Sequence, residues 1–346
     1  MKAIAQRRET ASADVLVERV LCHDVRDAHG KVAVPKGARL DAAAVETLLA
    51  APWDEIHVLA LEPGDLHEEE AGRRLAAAVT GEGVEVKGYT GGQWTLAATR
   101  RGLLRLAPGR LADVNAYEGI SVFTLFSGQP VVAGEAVAKA KVTPLAIAEQ
   151  TIHAIEELGR TTGGVVTVAG FRPWTIGAVA RESLEPRQRA RFESALKQKI
   201  DWLGSRLLAV RFASASDRAV ADELRALRRE GADALIVAGA SALDPLDPVF
   251  SALTVLGAGM ERHGVPAHPG SLLWLARWDG APVLGMPTCG MFSQATTFDL
   301  VLPRLLAGEV IGNRELAELG HGGLLSREMA YRFPPYRANA ARGELE

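Results

Sequence analysis

A chain of 346 residues, 48% hydrophobic and 23% charged, can bury more than one sizeable core. Its formal net charge of -3, without long Lys/Arg runs, argues against a surface that coats nucleic acid. No segment reaches the roughly 18 continuous apolar residues of a membrane span, and the opening MKAIAQRRETASAD lacks the apolar core of a signal peptide, so a cytoplasmic protein with no membrane partner is expected.

Two cysteines, Cys22 and Cys289, and eight scattered histidines supply no disulfide framework and no CxxC or HExxH metal site. Residues 1–62 read as a small β-rich unit. DVLVERVLCHDV alternates loosely, AHGK turns, LDAAAVETLLAA has helical apolar spacing, and VLAL is a strand.

Residues 63–168 read as a mixed α+β region. In LEPGDLHEEEAGRRLAAAV the spacing of Asp65 and Glu68 predicts a capping box, and Leu75 and Val79 carry an apolar stripe to Gly81. His67 and the three acids after it suggest a metal cluster, but acids in a first helical turn are better explained by the helix dipole. From Val84 to Val142, turns at GYTGGQ, LAPGR and FSGQP predict strands and one short helix. TPLAIAEQTIHAIEELG then predicts a helix with Ile147, Thr151, Ala154 and Leu158 on one face and Gly159 as its stop. RTTGGVVTVAGF supplies a linker and a strand, with a domain boundary near 169–174. Trp94, Tyr117 and Ser121 form no chemical constellation, and packing is expected of them.

Residues 169–312 change rhythm, and 313–346 form a tail. TIGAVARES is a strand, PRQRARFESALKQKIDWLG a helix with Phe192, Leu196, Lys199 and Leu203 to one side, and RLLAVRFA a strand. SDRAVADELRALRREG is a helix with Val220, Leu224 and Leu227 on one face, and ALIVAG a third strand. Such alternation predicts an α/β fold with a parallel sheet covered on both faces. Ligands bind these sheets beyond the carboxyl ends of the strands, where the strand order reverses.

VAGASALDPLDPVF, residues 237–250, lies at such an end. Gly239, Ala240, Ser241 and Ala242 leave main-chain N–H groups uncovered by large side chains. Asp247 before Pro248 is a natural N-cap for the helix that follows. The combination suits an anion at a helix start. Asp244 and Asp247 would repel a bare phosphate unless one faces away or both meet it through Mg²⁺. Two Asp-Pro turns and a helix cap account for the same residues equally well. GxxxxGK[ST] and GxGxxG are absent.

Two more stretches converge on the same edge. VPAHPGSLLWLAR puts His268, Pro269, Gly270 and Ser271 before a predicted short helix, and APVLGMPTCGMFSQATTFDLVLPRLLAG reads as strand, small-residue loop and a helix ending at Gly308.

ADALIVAGASALDPLDPV, GVPAHPGSLLWLARWDGAPVLGMPTCG and DLVLPRLLAG resemble, in this order, the molybdopterin-binding domain shared by molybdopterin adenylyltransferases and molybdopterin molybdotransferases. The resemblance spans residues 172–310 and implies a three-layer fold around a parallel sheet. LCHDVRDAHGKVAVPKGARLD and LEPGDLHEEEAGRRLA are similar to the region that precedes this domain in a divergent group of molybdopterin-binding proteins. Gly239 matches the first glycine of the family's Thr-Gly-Gly, with Ala238 and Ala240 in place of the threonine and second glycine. Asp247 matches the aspartate commonly taken as functional. Pro269 and Gly270 match Pro-Gly, Ser271 replaces the lysine, and Pro287 matches the last loop, whose Gly-Asn is Thr288-Cys289 here.

The resemblance implies binding of molybdopterin or its adenylylated form and a part in molybdenum-cofactor biosynthesis, with molybdate insertion as the transferase reaction. Gly239, Ala240, Ser241, Pro269, Gly270, Ser271, Pro287, Thr288 and Cys289 would cradle the pterin-linked phosphate. Asp247 and Asp244, with Mg²⁺, would organise phosphate or molybdate. A molybdoenzyme or cofactor-maturation protein is the implied partner, and a homo-oligomer the implied state. The altered anchors support an alternative, a non-catalytic cofactor carrier or sensor, because Ser271 removes a phosphate-neutralising charge. Cys289 reads better as a small loop cysteine than as a dithiolene or metal contact. A hydrolase on the same fold is a third reading.

Overall fold

Short-range signals set the elements of the first of two units, which comprises Met1–Thr99, Leu106–Leu125 and Ala133–Thr167. The computed structural model describes residues 1–181, 185–240, 242–292 and 295–336. Lys2–Arg7, Glu55–Ala60 and Val20–Leu21 form an antiparallel sheet with Ile4 opposite Val58. The Asp41 carboxylate accepts the Ala44 N–H at 2.7 Å and starts the helix Ala42–Ala50, whose Val45 and Leu48 pack with Leu21, Ile56 and Val58. A four-stranded antiparallel sheet takes Val84–Thr90, Gln93–Ala98, Ala136–Val142 and Ile120–Thr124.

Two local expectations fail in this unit. The helix Glu68–Val79 is capped by His67, whose Nδ1 accepts the Glu69 N–H at 3.3 Å, and not by Asp65. Asp65 belongs to the strand Asp65–His67, paired with Ala146–Ala148, so its backbone is committed to a ladder and its carboxylate accepts the Glu62 N–H at 2.9 Å. The helix Glu149–Thr162 runs through Gly159 and ends at Gly163, whose φ of 68° suits a glycine cap. Gly159 serves close packing instead: a Cβ there would lie 2.0 Å from the Ala78 carbonyl oxygen. The buried face is accordingly Ile152, Ile155 and Gly159, not the face through Thr151 and Leu158.

The second unit takes Arg100–Arg105, Phe126–Val132 and the chain from Val168 onward. Its elements β1 (Thr175–Arg181), α1 (Pro186–Trp202), β2 (Arg206–Ala213), α2 (Asp217–Arg229) and β3 (Ala234–Ala238) alternate as predicted. α3 (Pro248–Leu256), β4 (Gly259–His263), β5 (Trp274–Trp278), β6 (Ala281–Met286), α4 (Thr288–Phe292) and α5 (Thr297–Leu306) follow. The six strands make one sheet in the order β2-β1-β3-β6-β5-β4.

That sheet is mixed where a parallel one was expected: β2, β1, β3 and β6 are parallel, β5 pairs antiparallel with β6, and β4 pairs antiparallel with β5. The cause lies in SLLWLAR, predicted as helix, which forms a turn and then β5. Trp278 pairs with Ala281 around Asp279 and Gly280, at φ 49° and 72°. Asp-Gly at two positive-φ positions is a strong hairpin signal, and it prevails over the helical spacing upstream.

Strand alternation sorts side chains onto two faces. Ile176, Ala178, Ile236 and Leu284 join Phe192, Leu196, Phe298 and Leu302 of α1 and α5. Val179, Leu235, Val237 and Val283 join Leu224 and Leu227 of α2 and Val249 and Leu253 of α3. The result is three layers of α/β type. No helix among the described residues is long and apolar enough to cross a membrane.

Candidate functional site

The chain passes from β1 to the edge strand β2 and returns on the other side of β1 as β3, so the strand order reverses there. β6 then enters beside β3, with Ala238 opposite Met286. Both strands end at the same edge, and each is followed by small residues. Gly239 (φ 82°) and Ala240 after β3, and Pro287 and Thr288 after β6, line a cavity of about 290 Å³.

Trp274 and Gly285 also line this cavity. Trp274 lies opposite Gly285 in the β5–β6 ladder and is 1% exposed. The Phe250 ring of α3 meets Trp274 at 5.7 Å and His263 at 5.0 Å between ring centres, in tilted contacts. His263 Nε2 lies 2.7 Å from the Ala242 carbonyl oxygen, so an aromatic tier backs the loop after β3. Sequence reasoning missed these residues. The available signal was a lone glycine in β6 with tryptophan as its ladder partner, since glycine inside a strand often marks a close approach.

Asp247 is the N-cap of α3, as its position before Pro248 predicted: its Oδ1 accepts the Val249 N–H at 3.0 Å, and the residue is 1% exposed. Asp244 is exposed, and its Oδ1 accepts the Leu246 N–H at 2.9 Å. Neither is among the residues lining the cavity. Ser241 lies outside the described residues.

Pro269 and Gly270 meet the start of α5 instead. The Pro269 carbonyl accepts the Thr297 N–H at 3.0 Å, and a Cβ on Gly270 (φ 111°) would fall 2.8 Å from Thr297 Oγ1. The Ser271 carbonyl accepts the Val265 N–H at 2.9 Å, and the next residue, Leu272, is the one that reaches the cavity. Cys289 is exposed, one position beyond Thr288 in α4. Of the sequence-predicted set, the cavity therefore gathers Gly239, Ala240, Pro287 and Thr288. None of the described residues that line it carries an ionisable side chain, and no group of three or more His, Cys, Asp or Glu able to hold a metal occurs among the described residues.

No protein-family model matches this chain, and no curated protein does. Among solved structures it is similar to the molybdopterin biosynthesis MoeA protein from Pyrococcus horikosii, at 15% identity and a TM-score of 0.30, over 72% of this chain and 80% of that one.

A buried ion pair secures the start of α5. Lys199 Nζ of α1 donates to Asp299 Oδ1 and Oδ2 of α5 at 2.7 and 2.9 Å. Asp299 Oδ2 also accepts the Thr296 N–H at 3.0 Å and the Thr296 hydroxyl at 2.9 Å. Thr296 Oγ1 in turn lies 3.5 Å from where a Cβ on Gly290 of α4 would be. Burial, then the Asp299 charge, holds the neighbouring Tyr336 phenol well above its ordinary value. The sequence placed Lys199 on the buried face of α1 without revealing its partner.

Proposed function

We propose that the cavity beyond β3 and β6 binds molybdopterin or its adenylylated form, and that the protein takes part in molybdenum-cofactor biosynthesis. One observation carries this reading. Two stretches that resemble the molybdopterin-binding family, far apart in sequence, bring Gly239, Ala240, Pro287 and Thr288 to the same cavity. Its volume of about 290 Å³ is near the lower end of small-molecule sites, roughly 300–1,000 Å³. The Trp274 indole offers an apolar wall to a flat heterocycle, while the small residues after β3 let a phosphate approach the backbone.

Within this reading, two fates of the cofactor compete. As a molybdotransferase, the protein would insert molybdate, with Asp247 and Asp244 as the residues that would hold Mg²⁺ and supply charge neutralisation. As a carrier or sensor, it binds cofactor and delivers it to a molybdoenzyme or maturation protein. The carrier is favoured by a lining whose described residues carry no ionisable side chain and by Asp247, whose buried carboxylate caps α3. Both carboxylates already accept N–H bonds of their own turns, an arrangement that fits capping better than Mg²⁺ binding. Backbone positioning, not side-chain charge, does the binding. A homo-oligomer is part of the proposal by resemblance alone.

The test is protein purified anaerobically from a cofactor-producing host, denatured, oxidised with iodine and assayed for fluorescent pterin. Near-stoichiometric pterin is expected in the wild type and its loss in Ala240→Trp, which fills the cavity. Wild-type protein that holds no pterin and does not bind added molybdopterin overturns the proposal. Molybdate-dependent turnover of many equivalents would establish the transferase over the carrier.

A further inference from the structure

The other end of α5 holds an unbalanced set of charges. Arg105, Arg304 and Arg332 line a cleft of about 170 Å³ together with one acid, Glu309. Glu309 bridges two of the cations, at 2.6 Å from Arg304 and 3.3 Å from Arg105. Arg105 Nη2 also donates to the Ala307 carbonyl at 3.1 Å, and Arg304 Nη1 to the Glu315 carbonyl at 3.1 Å. Both thus serve the end of a helix, where cations are favourable and orphan carbonyls need donors.

Arg332 has no such explanation. It donates to the Gly322 carbonyl at 3.3 Å, its guanidinium carbon lies 4.9 Å from the Phe126 ring centre, and it forms no ion pair among the described residues. Stacking fixes the plane of a guanidinium and leaves its edge, a fork of N–H donors that matches phosphate or carboxylate oxygens. His321 supplies a further donor at the same rim. The described lining carries two positive charges in excess, and a phosphate group near neutral pH carries about -1.5 to -2.

We propose that this cleft is a second binding site, for phosphate or for the phosphate group of a small molecule. Among the described residues, this cleft and the cavity beyond β3 and β6 share no lining residue, so either assignment can fail alone.

Calorimetric titration with inorganic phosphate, and separately with glycerol 3-phosphate, tests it at ionic strength held constant with chloride. Saturable binding is expected in the wild type, weakened at least tenfold in Arg332→Gln, less in Arg332→Lys, and unchanged in Arg160→Gln, whose arginine belongs to an exposed helical pair with Glu157. Pterin content stays as in the wild type in every variant. Binding of both ligands assigns the site to phosphomonoesters, and binding of inorganic phosphate alone assigns it to the free ion. Absence of saturable binding to wild-type protein, or equal affinity in folded Arg332→Gln, overturns the proposal. If Arg332→Gln does not fold, an unweakened Arg332→Lys does so.

Discussion

Gly285 stands directly opposite Trp274 in the β5–β6 ladder, and the indole occupies the space a side chain would need: a Cβ on residue 285 would lie 2.0 Å from the ring. Both residues line the cavity beyond β3 and β6. Gly285→Ala should therefore cost about 1–3 kcal/mol through overpacking and displace the indole wall. Urea unfolding and pterin content measure the two effects. Trp274→Leu in the Gly285→Ala background should recover part of the stability, and no recovery would place the strain elsewhere.

Asp247 separates a capping role from a charge role. Asp247→Ala removes the acceptor for the Val249 N–H and should destabilise by about 1–2 kcal/mol. Asp247→Asn keeps an oxygen for that N–H and should stay near wild type. Equal losses in the two variants, read from denaturant midpoints, would mean that the carboxylate charge itself is needed.

Lys199 and Asp299 are both buried, with side chains 4% and 1% exposed. Removing one member leaves the other unpaired, so Lys199→Met should cost about 3–5 kcal/mol. Adding Asp299→Asn relieves the unpaired charge while keeping a partner for Thr296, and should recover a substantial part. A double-mutant cycle checks this, and additive losses would contradict it. The same lesion should loosen the start of α5, read as faster amide hydrogen exchange at Thr296, whose N–H Asp299 accepts.

Two carboxyls should shape the acid limb of stability in opposite senses. Burial raises the Glu68 carboxyl above its ordinary value of 4.5. Its contribution is therefore full below the unfolded value and is lost as pH rises through the raised one. Glu68→Gln should accordingly gain stability relative to wild type across that interval. Arg74, hydrogen-bonded to Glu156 at 2.8 and 2.9 Å, lowers the Glu156 carboxyl. That contribution is present above the ordinary 4.5 and is lost as pH falls through the lowered value. Glu156→Gln should therefore be less stable than wild type at neutral pH, with the difference fading in acid. Thermal midpoints across the acid range decide both signs.

Much of the second unit was legible because its signals are short-range. The run ALIVA is buried at every position of β3, as parallel strands covered on both faces require, and Val220, Leu224 and Leu227 mark the inner face of α2. Asp247 and Pro248 announce the start of α3. The five residues of β5 are too few for period to separate strand from helix, and only Asp279–Gly280 betrays the hairpin. At Gly159 a glycine that looked like a stop is a contact with Ala78, a partner no local pattern contains.

Sequence by itself determined the start of α3, the apolar faces of α1 and α2, and that small residues follow β3 and β6. These depend on hydrogen bonds and side-chain periodicity over a few neighbouring residues. Tertiary structure alone decided that β6 lies beside β3, that Gly239, Ala240, Pro287 and Thr288 share a cavity while Pro269 and Gly270 brace α5, and that Lys199 meets Asp299. Strand order and buried pairing follow from covering both faces of one sheet at once, a requirement of the whole chain that no short segment encodes.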